Sequence, residues 1–407
     1  MRNKDIINLL KIQAKNVILD DFFINHDNNT LDCYISKKIS PTNCPSCNSL
    51  TSRIHDHRIQ KIKHSPINGY KTTLFLKKTR LFCPHCGKKF YFNYNDIVNP
   101  RFRCSNQLFN NIISDLQFTS MTFDEVAKSN FVSHGVVTRY LNYFSFLMQW
   151  NNIHSLPKHI GIDEFKGNCN GSKYLFHIYN LDTRETIYIL KTRKFSDIVS
   201  FFDSIDNRNE VKLVTMDLCD SFKNAIQAKL KNAIVVADRF HYTRIVAQAM
   251  DNLRLQIWRN SKGVEKKYFK HLKRKLLIDP EKIDKDSLLD FENCLNYAFD
   301  LSGELKYGYQ LYQSFLKIKE GSTYQEKCKR FKDWISDAQS STIKEFDSAS
   351  QTLMKWHKEI LNSFKTNYTN SSTEGKNNKI KVIKRIAFGF RNIDNLRNRI
   401  KIRDLKV

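Results

Sequence analysis

No apolar run in this chain approaches the ~20 residues of a membrane span. Its first ten residues, Met1 to Leu10, are charged and lack the apolar core of a secretory signal. Acidic residues are also scarce: 41 Asp and Glu stand against 67 Lys and Arg, a formal net charge of +26 over 407 residues. The first two absences predict a cytoplasmic protein with no membrane partner. The third predicts a polyanionic partner, nucleic acid before all others, because a soluble fold does not need that excess. Affinity for such a partner falls steeply with salt as counterions are released. A basic surface that is merely solvated is the bland alternative.

The ten cysteines do not read as a disulfide framework, since four of them form two Cys-x-x-Cys pairs in a chain without an export signal. Residues 1–40 read as a helix from Asp5 to Asn16, with Ile6, Leu9 and Leu10 on one face, then a strand near Leu31–Ile35. The pairs Cys44/Cys47 and Cys83/Cys86 follow, each with a proline inside the knuckle. Four thiolates on two such turns suit a tetrahedral zinc, so residues 41–100 read as a zinc ribbon with an extended hairpin turning at Pro66–Gly69. Free buried thiols are the alternative, and Cys33 and Cys104 read as plain core residues. His55, His57, His64 and His85 read as surface or DNA-facing.

Residues 101–156 turn helical, with Leu108, Ile112, Ile113 and Leu116 on one face. Thr122 and Ser133 are candidate caps of two short helices separated by a break at Ser129–Phe131. That pattern resembles a helix-turn-helix, with His134, Thr138 and Arg139 pointing outward toward DNA. An ordinary helical hairpin has the same pattern.

Past Pro157 the elements are expected as strands His159–Phe165, Tyr174–Leu181 and Thr186–Lys191, helix Phe195–Ile205, strand Val211–Asp217, helix Ser221–Leu230 and strand Ala233–Ala237. Three strands in a meander, then alternating helix and strand, is the order of an α/β, RNase H-like fold. It sets Asp163 and Asp217 at the ends of neighbouring strands, facing each other across one edge of the sheet. Strand-end Asp residues are often only turn formers. Asp238 and His241 open a long helix to about Asn260, as catalytic neighbours or as a helix-start Asp and a structural His. Residues 261–370 read as an all-helical insertion in a catalytic core that starts at 157–260. Lys270, Lys273 and Arg274 lie in its most basic run, as a DNA track or a solvated face, while Trp334 and Trp356 read as core.

Residues 371–407 read as a catalytic basic helix: from Glu374 on they hold eleven Lys or Arg against three acids. Glu374 is expected in the first turn, where the helix dipole favours a metal-bound carboxylate. Asn377, Asn378, Lys381, Lys384, Arg385 and Arg391 are candidate DNA contacts. Three carboxylates gathered from Asp163, Asp217 and Glu374 can hold two divalent ions ~3.5–4 Å apart, which clamp the attacking and leaving oxygens of a phosphodiester.

The stretches GIDEF, TMDLCDSF, NAIVVADRFH and EGKNNKIKVIKRIAFGFRNIDNLRNRI, with the knuckles CPSC and CPHCGKKF upstream, resemble the ISL-three family of bacterial insertion-sequence transposases. The likeness spans nearly the whole chain, and the Glu with paired Asn before a basic helix is its most specific part. It implies an Asp-Asp-Glu core at Asp163, Asp217 and Glu374, using magnesium or manganese. It also implies a zinc ribbon and helix-turn-helix that bind double-stranded DNA at the element's terminal inverted repeats. Asp238 and His241 resemble the Asp-x-x-His signature of related transposases. The expected activity is DNA cleavage and strand transfer in the bacterial cytoplasm at the nucleoid, by a homodimer or larger assembly that holds two ends. A DNA-binding regulator without catalysis and an RNase H-like nuclease that cuts without joining are the competing readings.

Overall fold

The computed structural model describes residues 3–405 apart from Gln13, Lys15 and Asn170; the side chains of Asn3 to Ile6, Lys285 and Ser371 to Glu374 also lie outside the described residues. Two units divide the chain: Met1–Asn151 with Ile380–Val407, and Asn152–Lys379.

In the first unit α1 (Asn3–Leu10) precedes strands β1 (Val17–Asn25), β2 (Thr30–Lys37), β3 (Thr42–Asn43), β4 (Leu50–Thr51), β5 (Ile54–Lys63), β6 (Lys71–Phe82) and β7 (Lys89–Tyr91). The helix is shorter than expected, because Lys11 turns the chain at φ 46°, and β1 was not anticipated. Leu9 is exposed, whereas Leu10 is buried. The sheet order is β1-β2-β6-β5 with β7 on β6, and β3 and β4 pair separately. Asn68 and Gly69, at φ 48° and 82°, make the two-residue turn between β5 and β6. Both positions need the left-handed region, which Asn and Gly tolerate. Cys33 packs in the core of this sheet. His64 is not surface: it is 3% exposed, with Nδ1 2.7 Å from Ser105 Oγ and Nε2 2.9 Å from the Leu10 carbonyl. Burial holds its pKa down to about 4.

Three helices follow, α2 (Asn106–Asp115), α3 (Phe123–Ser129) and α4 (His134–Leu147). Leu108, Ile112, Ile113 and Leu116 are buried among them, with Cys104. Thr122 and Glu125 close a reciprocal capping box on α3. Ser133 stands at the N-cap of α4, but its side chain makes no capping bond.

In the second unit β8 (His159–Cys169), β9 (Ser172–Asn180) and β10 (Thr186–Leu190) lead to α5 (Phe195–Asp203), β11 (Leu213–Met216), α6 (Asp220–Lys229) and β12 (Ile234–Ala237). The sheet order is β10-β9-β8-β11-β12, antiparallel across the first three strands and parallel from β8 to β12. Then come α7 (Arg239–Asn260), α8 (Gly263–His271), α9 (Lys273–Leu277), α10 (Lys285–Leu301), α11 (Gly303–Lys317), α12 (Tyr324–Ser340), α13 (Lys344–Lys355) and α14 (His357–Ser363). They share one apolar core with the sheet, which includes Trp334 and Trp356. Trp334 Nε1 donates to the Leu311 carbonyl at 2.7 Å, so its burial leaves no unpaired donor. Asn362 of α14 donates to Val235 O at 2.9 Å beside the edge strand β12, a protection that edges require.

The C-terminal stretch is not one helix. In α15 (Ser371–Ile386) the boundary between units falls at Ile380, and α16 (Ile393–Asp404) belongs wholly to the first unit. Its Arg397, Asn398 and Arg399 are 3%, 2% and 3% exposed. Arg399 donates to the carbonyls of Phe118 (2.8 Å) and Met121 (2.7 Å), and Arg403 to that of Gln117 (2.6 Å). These carbonyls lie in the connection between α2 and α3, and the guanidinium groups satisfy them. Asn398 accepts from Ser145 at 2.7 Å and donates to Asn142 at 3.0 Å. The basic residues of α16 therefore complete the helical cluster of α2 to α4 instead of forming a basic surface.

Candidate active site

Parallel pairing of β8 with β11 runs from His159↔Leu213 to Gly161↔Thr215, and two further positions on this register lie Asp163 and Asp217. The pairing of β11 with β12 ends at Met216↔Ala237, so Asp238 follows at the same level. Its backbone N–H donates to Met216 O at 2.8 Å. Three carboxylates thus leave adjacent strands at one edge, where open α/β sheets bind ligands. Asp163 does not end its strand as expected: β8 continues to Cys169, and only its pairing with β11 stops. His241, in the first turn of α7, sets Nε2 3.1 Å from Asp217 Oδ1 and 3.8 Å from Asp238 Oδ2. Ligand atoms of Asp217, Asp238 and His241 all lie within 4.8 Å of one another.

Asp163 accepts the Glu164 backbone N–H on Oδ1 at 2.6 Å and the Asn377 side-chain amide on Oδ2 at 2.5 Å. Asn377 is 6% exposed, so its amide holds a carboxylate rather than facing DNA as expected. Burial, and then the charge of Asp217, push Asp163 up to about 7. Burial, and then Asp238, push Asp217 up to about 6. Crowded, desolvated carboxylates of this kind suit a cation. Glu164 is paired with Arg193, whose Nη1 donates to both carboxylate oxygens at 2.8 and 2.6 Å.

Glu374 lies in α15 one turn before Asn377, and its side chain is outside the described residues. Asn370, just ahead of that helix, was missed by sequence reasoning. It is 4% exposed. Its Oδ1 accepts from Tyr179 Oη at 2.9 Å and from Thr215 Oγ1 at 2.5 Å, and its Nδ2 donates to Ile162 O at 3.3 Å. One amide thereby ties three strands together beside Asp163 and Asp217. Gly161 makes room for this: a Cβ there would stand 2.0 Å from the Tyr179 ring. The polar residue just before a helix was a visible signal of a cap, but not of partners about 155 to 208 positions away.

The other candidates are scattered. His134 and Arg139 are exposed on α4, with His134 Nδ1 2.8 Å from Asp124 Oδ1. Thr138 is not outward: its hydroxyl oxygen is buried. Lys273 is held by Asp251 at 2.7 Å, while Lys270 and Arg274 are exposed. Asn378, Lys381, Arg385 and Arg391 are exposed and Lys384 is half-buried.

In the first unit the Sγ atoms of Cys44, Cys47, Cys83 and Cys86 lie within 4.8 Å of one another. Cys44 and Cys86 are 3.6 Å apart, Cys47 and Cys83 3.5 Å. A disulfide would need ~2.05 Å, whereas tetrahedral Zn–S bonds of ~2.3 Å set sulfurs about 3.8 Å apart. The two knuckles repeat one backbone pattern. Cys44 N–H donates to Ser49 O and Asn48 N–H to Cys44 O; Cys83 N–H donates to Lys88 O and Gly87 N–H to Cys83 O, all at 2.9 Å. Hydrogen bonds from Ser49, side chain first and backbone second, hold Cys47 down to about 5, while its thiol neighbours raise Cys86 to about 12, so the cysteines share one titration. The set fits a structural zinc.

A family model described as transposase, of the ISL3 type, matches residues 160–400, and one described as the zinc-finger of transposase IS204/IS1001/IS1096/IS1165 matches residues 40–86. The chain is 22% identical over 383 residues to the "Transposase for insertion sequence element IS1001" of Bordetella parapertussis, covering 89% of this chain and 88% of that one. A shorter stretch is 35% identical over 108 residues to an "ATP-dependent protease" of Lactococcus lactis subsp. lactis, covering 25% of this chain and 31% of that protein. That name describes the Lactococcus protein, and a match over a quarter of the chain says little of the rest.

Proposed function

The chain belongs to the ISL3 family of transposases, and from that premise we propose that it cuts and joins DNA strands at the edge formed by Asp163, Asp217 and Asp238. The observation that carries this reading is the convergence of those carboxylates from three adjacent strands, with His241 beside them. The sheet order supports an RNase H-like core with α8 to α14 as its helical insertion.

Asp163, Asp217 and Glu374 would hold magnesium or manganese. Glu374 precedes Asn377 by one turn of α15, and the family resemblance makes it the third carboxylate. Such ions, when bound, activate the attacking oxygen and stabilise the leaving one. The remaining work belongs to the protein: Asn377 orients Asp163, His241 orients Asp217, and Asn370 fixes the strands that carry both. Lys381, Arg385 and Arg391 would meet phosphates. In the first unit, α3 and α4 support a helix-turn-helix, with His134 and Arg139 toward the major groove. Two element ends in one complex require at least a dimer.

The test is a cleavage and joining assay on labelled duplex carrying the inverted repeat that flanks this coding sequence. Wild type is compared with Glu374→Gln, with and without magnesium. Metal-dependent nicking and joining by wild type alone supports the reading. Specific binding without cutting by either protein would point to a DNA-binding regulator, and cutting without joining to a nuclease.

A further inference from the structure

Phe388 is 99% exposed, and it sits at φ 50° between α15 and α16. The end of α15 forms a Schellman motif: Phe388 N–H donates to Arg385 O at 3.1 Å and Gly389 N–H to Lys384 O at 2.8 Å. The left-handed position of that motif ordinarily takes glycine, and a bulky residue there is disfavoured. This chain has a glycine one position later, at φ 97°. The strain secures no packing in the protein itself, because the ring lies in solvent. Strain of this kind is a pointer to function.

The backbone that carries the ring is anchored on its C-terminal side. Phe390 packs edge-on against Phe123 at 6.1 Å between centroids. Asn392 caps α16 by accepting from the backbone N–H groups of Asp394 (2.7 Å) and Asn395 (3.2 Å). Phe388 and His134, the first residue of α4, line the same cavity of about 420 Å³, together with Thr122, Ile383 and Arg391. The aromatic ring and the N-terminal turn of α4 therefore face one side of the first unit. Arg385 and Arg391, both exposed, lie three positions to either side of Phe388 in the sequence. An exposed aromatic with arginines close by in the sequence has the chemistry of a DNA contact: the cations meet phosphates, and the ring meets a base face.

We propose that Phe388 stacks on or wedges between bases of the duplex that α4 engages. The inference rests on the DNA-binding reading above and adds an aromatic base contact to it. The experiment measures binding of the full chain to the inverted-repeat duplex by fluorescence anisotropy across a salt series. The variants are Phe388→Ala, Phe388→Gly, Phe388→Trp and Arg391→Ala.

Phe388→Ala should bind about 10-fold more weakly with an unchanged salt slope, because a stacked ring releases no counterions. Arg391→Ala should reduce the slope. Phe388→Trp should keep wild-type affinity. Phe388→Gly should bind as weakly as Phe388→Ala with a thermal midpoint no lower than wild type, since glycine relieves the left-handed strain. A 2-aminopurine base at the contacted step should brighten with wild type and not with Phe388→Ala. Wild-type affinity in Phe388→Ala, or a loss matched by a change in self-association, overturns the proposal while the DNA-binding reading stands. Wild type that binds no duplex removes both.

Discussion

The cysteine cluster and the carboxylate cluster are both gatherings of anionic ligands, yet they are built in opposite ways. The sulfurs come from two copies of one backbone turn, and the four of them fill a tetrahedral shell. The carboxylates come from three different strands, and their partners come from α7, α15 and the residue before α15. His241 keeps 34% of its side chain exposed and Asp217 18%, so the second cluster stays open to solvent. A closed shell suits structure; an open one leaves room for a substrate. Local turns suffice for the first, whereas the second depends on the whole sheet.

The largest effect that would break this contrast is on the zinc side. Cys44→Ser, or strong chelation, should unfold the ribbon, because structural zinc in small domains contributes on the order of 10 kcal/mol. Metal analysis should find one zinc per chain in wild type, and the loss should appear as amide-proton dispersion vanishing for residues 41–91. An intact ribbon without metal would mean that the sulfurs are ordinary core thiols.

Asp217→Asn should have the reverse signature. Cleavage should fall by roughly 10³-fold or more, as for loss of a group that stabilises the transition state, while DNA-end binding survives. At pH 8 and without divalent ions the variant should be more stable than wild type, by on the order of 1 kcal/mol in a urea titration, since burial, and then the charge of Asp238, penalise the ionised carboxylate. Equal loss of binding and cleavage in a folded variant would remove Asp217 from the site.

Asn370→Ala sharpens the same comparison from outside the ligand set. It strips the acceptor from two buried hydroxyls, Tyr179 Oη and Thr215 Oγ1. The expected cost is about 2 kcal/mol of stability and roughly 10–100-fold in cleavage through misplaced carboxylates. End binding should be unchanged. If stability falls but cleavage by the folded fraction does not, the amide is structural only.

An effect with no consequence for cleavage separates burial from metal binding. His64 is neutral in the fold, with a pKa near 4 against 6.5 for the ordinary side chain. The unfolded chain therefore binds the extra proton first as pH falls. Stability contributed above pH 6.5 should drain away toward pH 4, by on the order of 3 kcal/mol for this one group. His64→Gln should flatten that part of the pH–stability curve, and an unchanged curve would show that the ring titrates freely.

Some of this molecule was plain in its residues. The order and limits of β8 to β12 agree with the apolar runs to within a few positions, because each strand carries its own alternation and its own turn residues. The knuckles were legible for the same reason: Cys-x-x-Cys in a turn is a local event. Trp334 and Trp356 were correctly read as core, since an amphipathic helix announces its buried face. The early stop of α1 and the unbonded Ser133 are local failures, whereas those among the site candidates are long-range. Asn377 looked like a DNA contact and is bonded to Asp163. Thr138 looked outward, and its hydroxyl is buried. The last basic stretch looked like one catalytic element, but α16 buries Arg397 and Arg399, and Arg399 donates to carbonyls some 280 residues earlier in the chain.

By itself the sequence determined the four-thiol set of the knuckles, the alternation of strand and helix, and that Asp217 and Asp238 each follow a strand. Each of these is set within one turn or one strand, by spacing and side-chain type. Only the tertiary structure decided which amide holds which carboxylate, which arginines are spent on carbonyls, and which phenylalanine is left in solvent. Those outcomes depend on partners brought together by packing, and burial, not residue type, makes a polar group a strut or a contact.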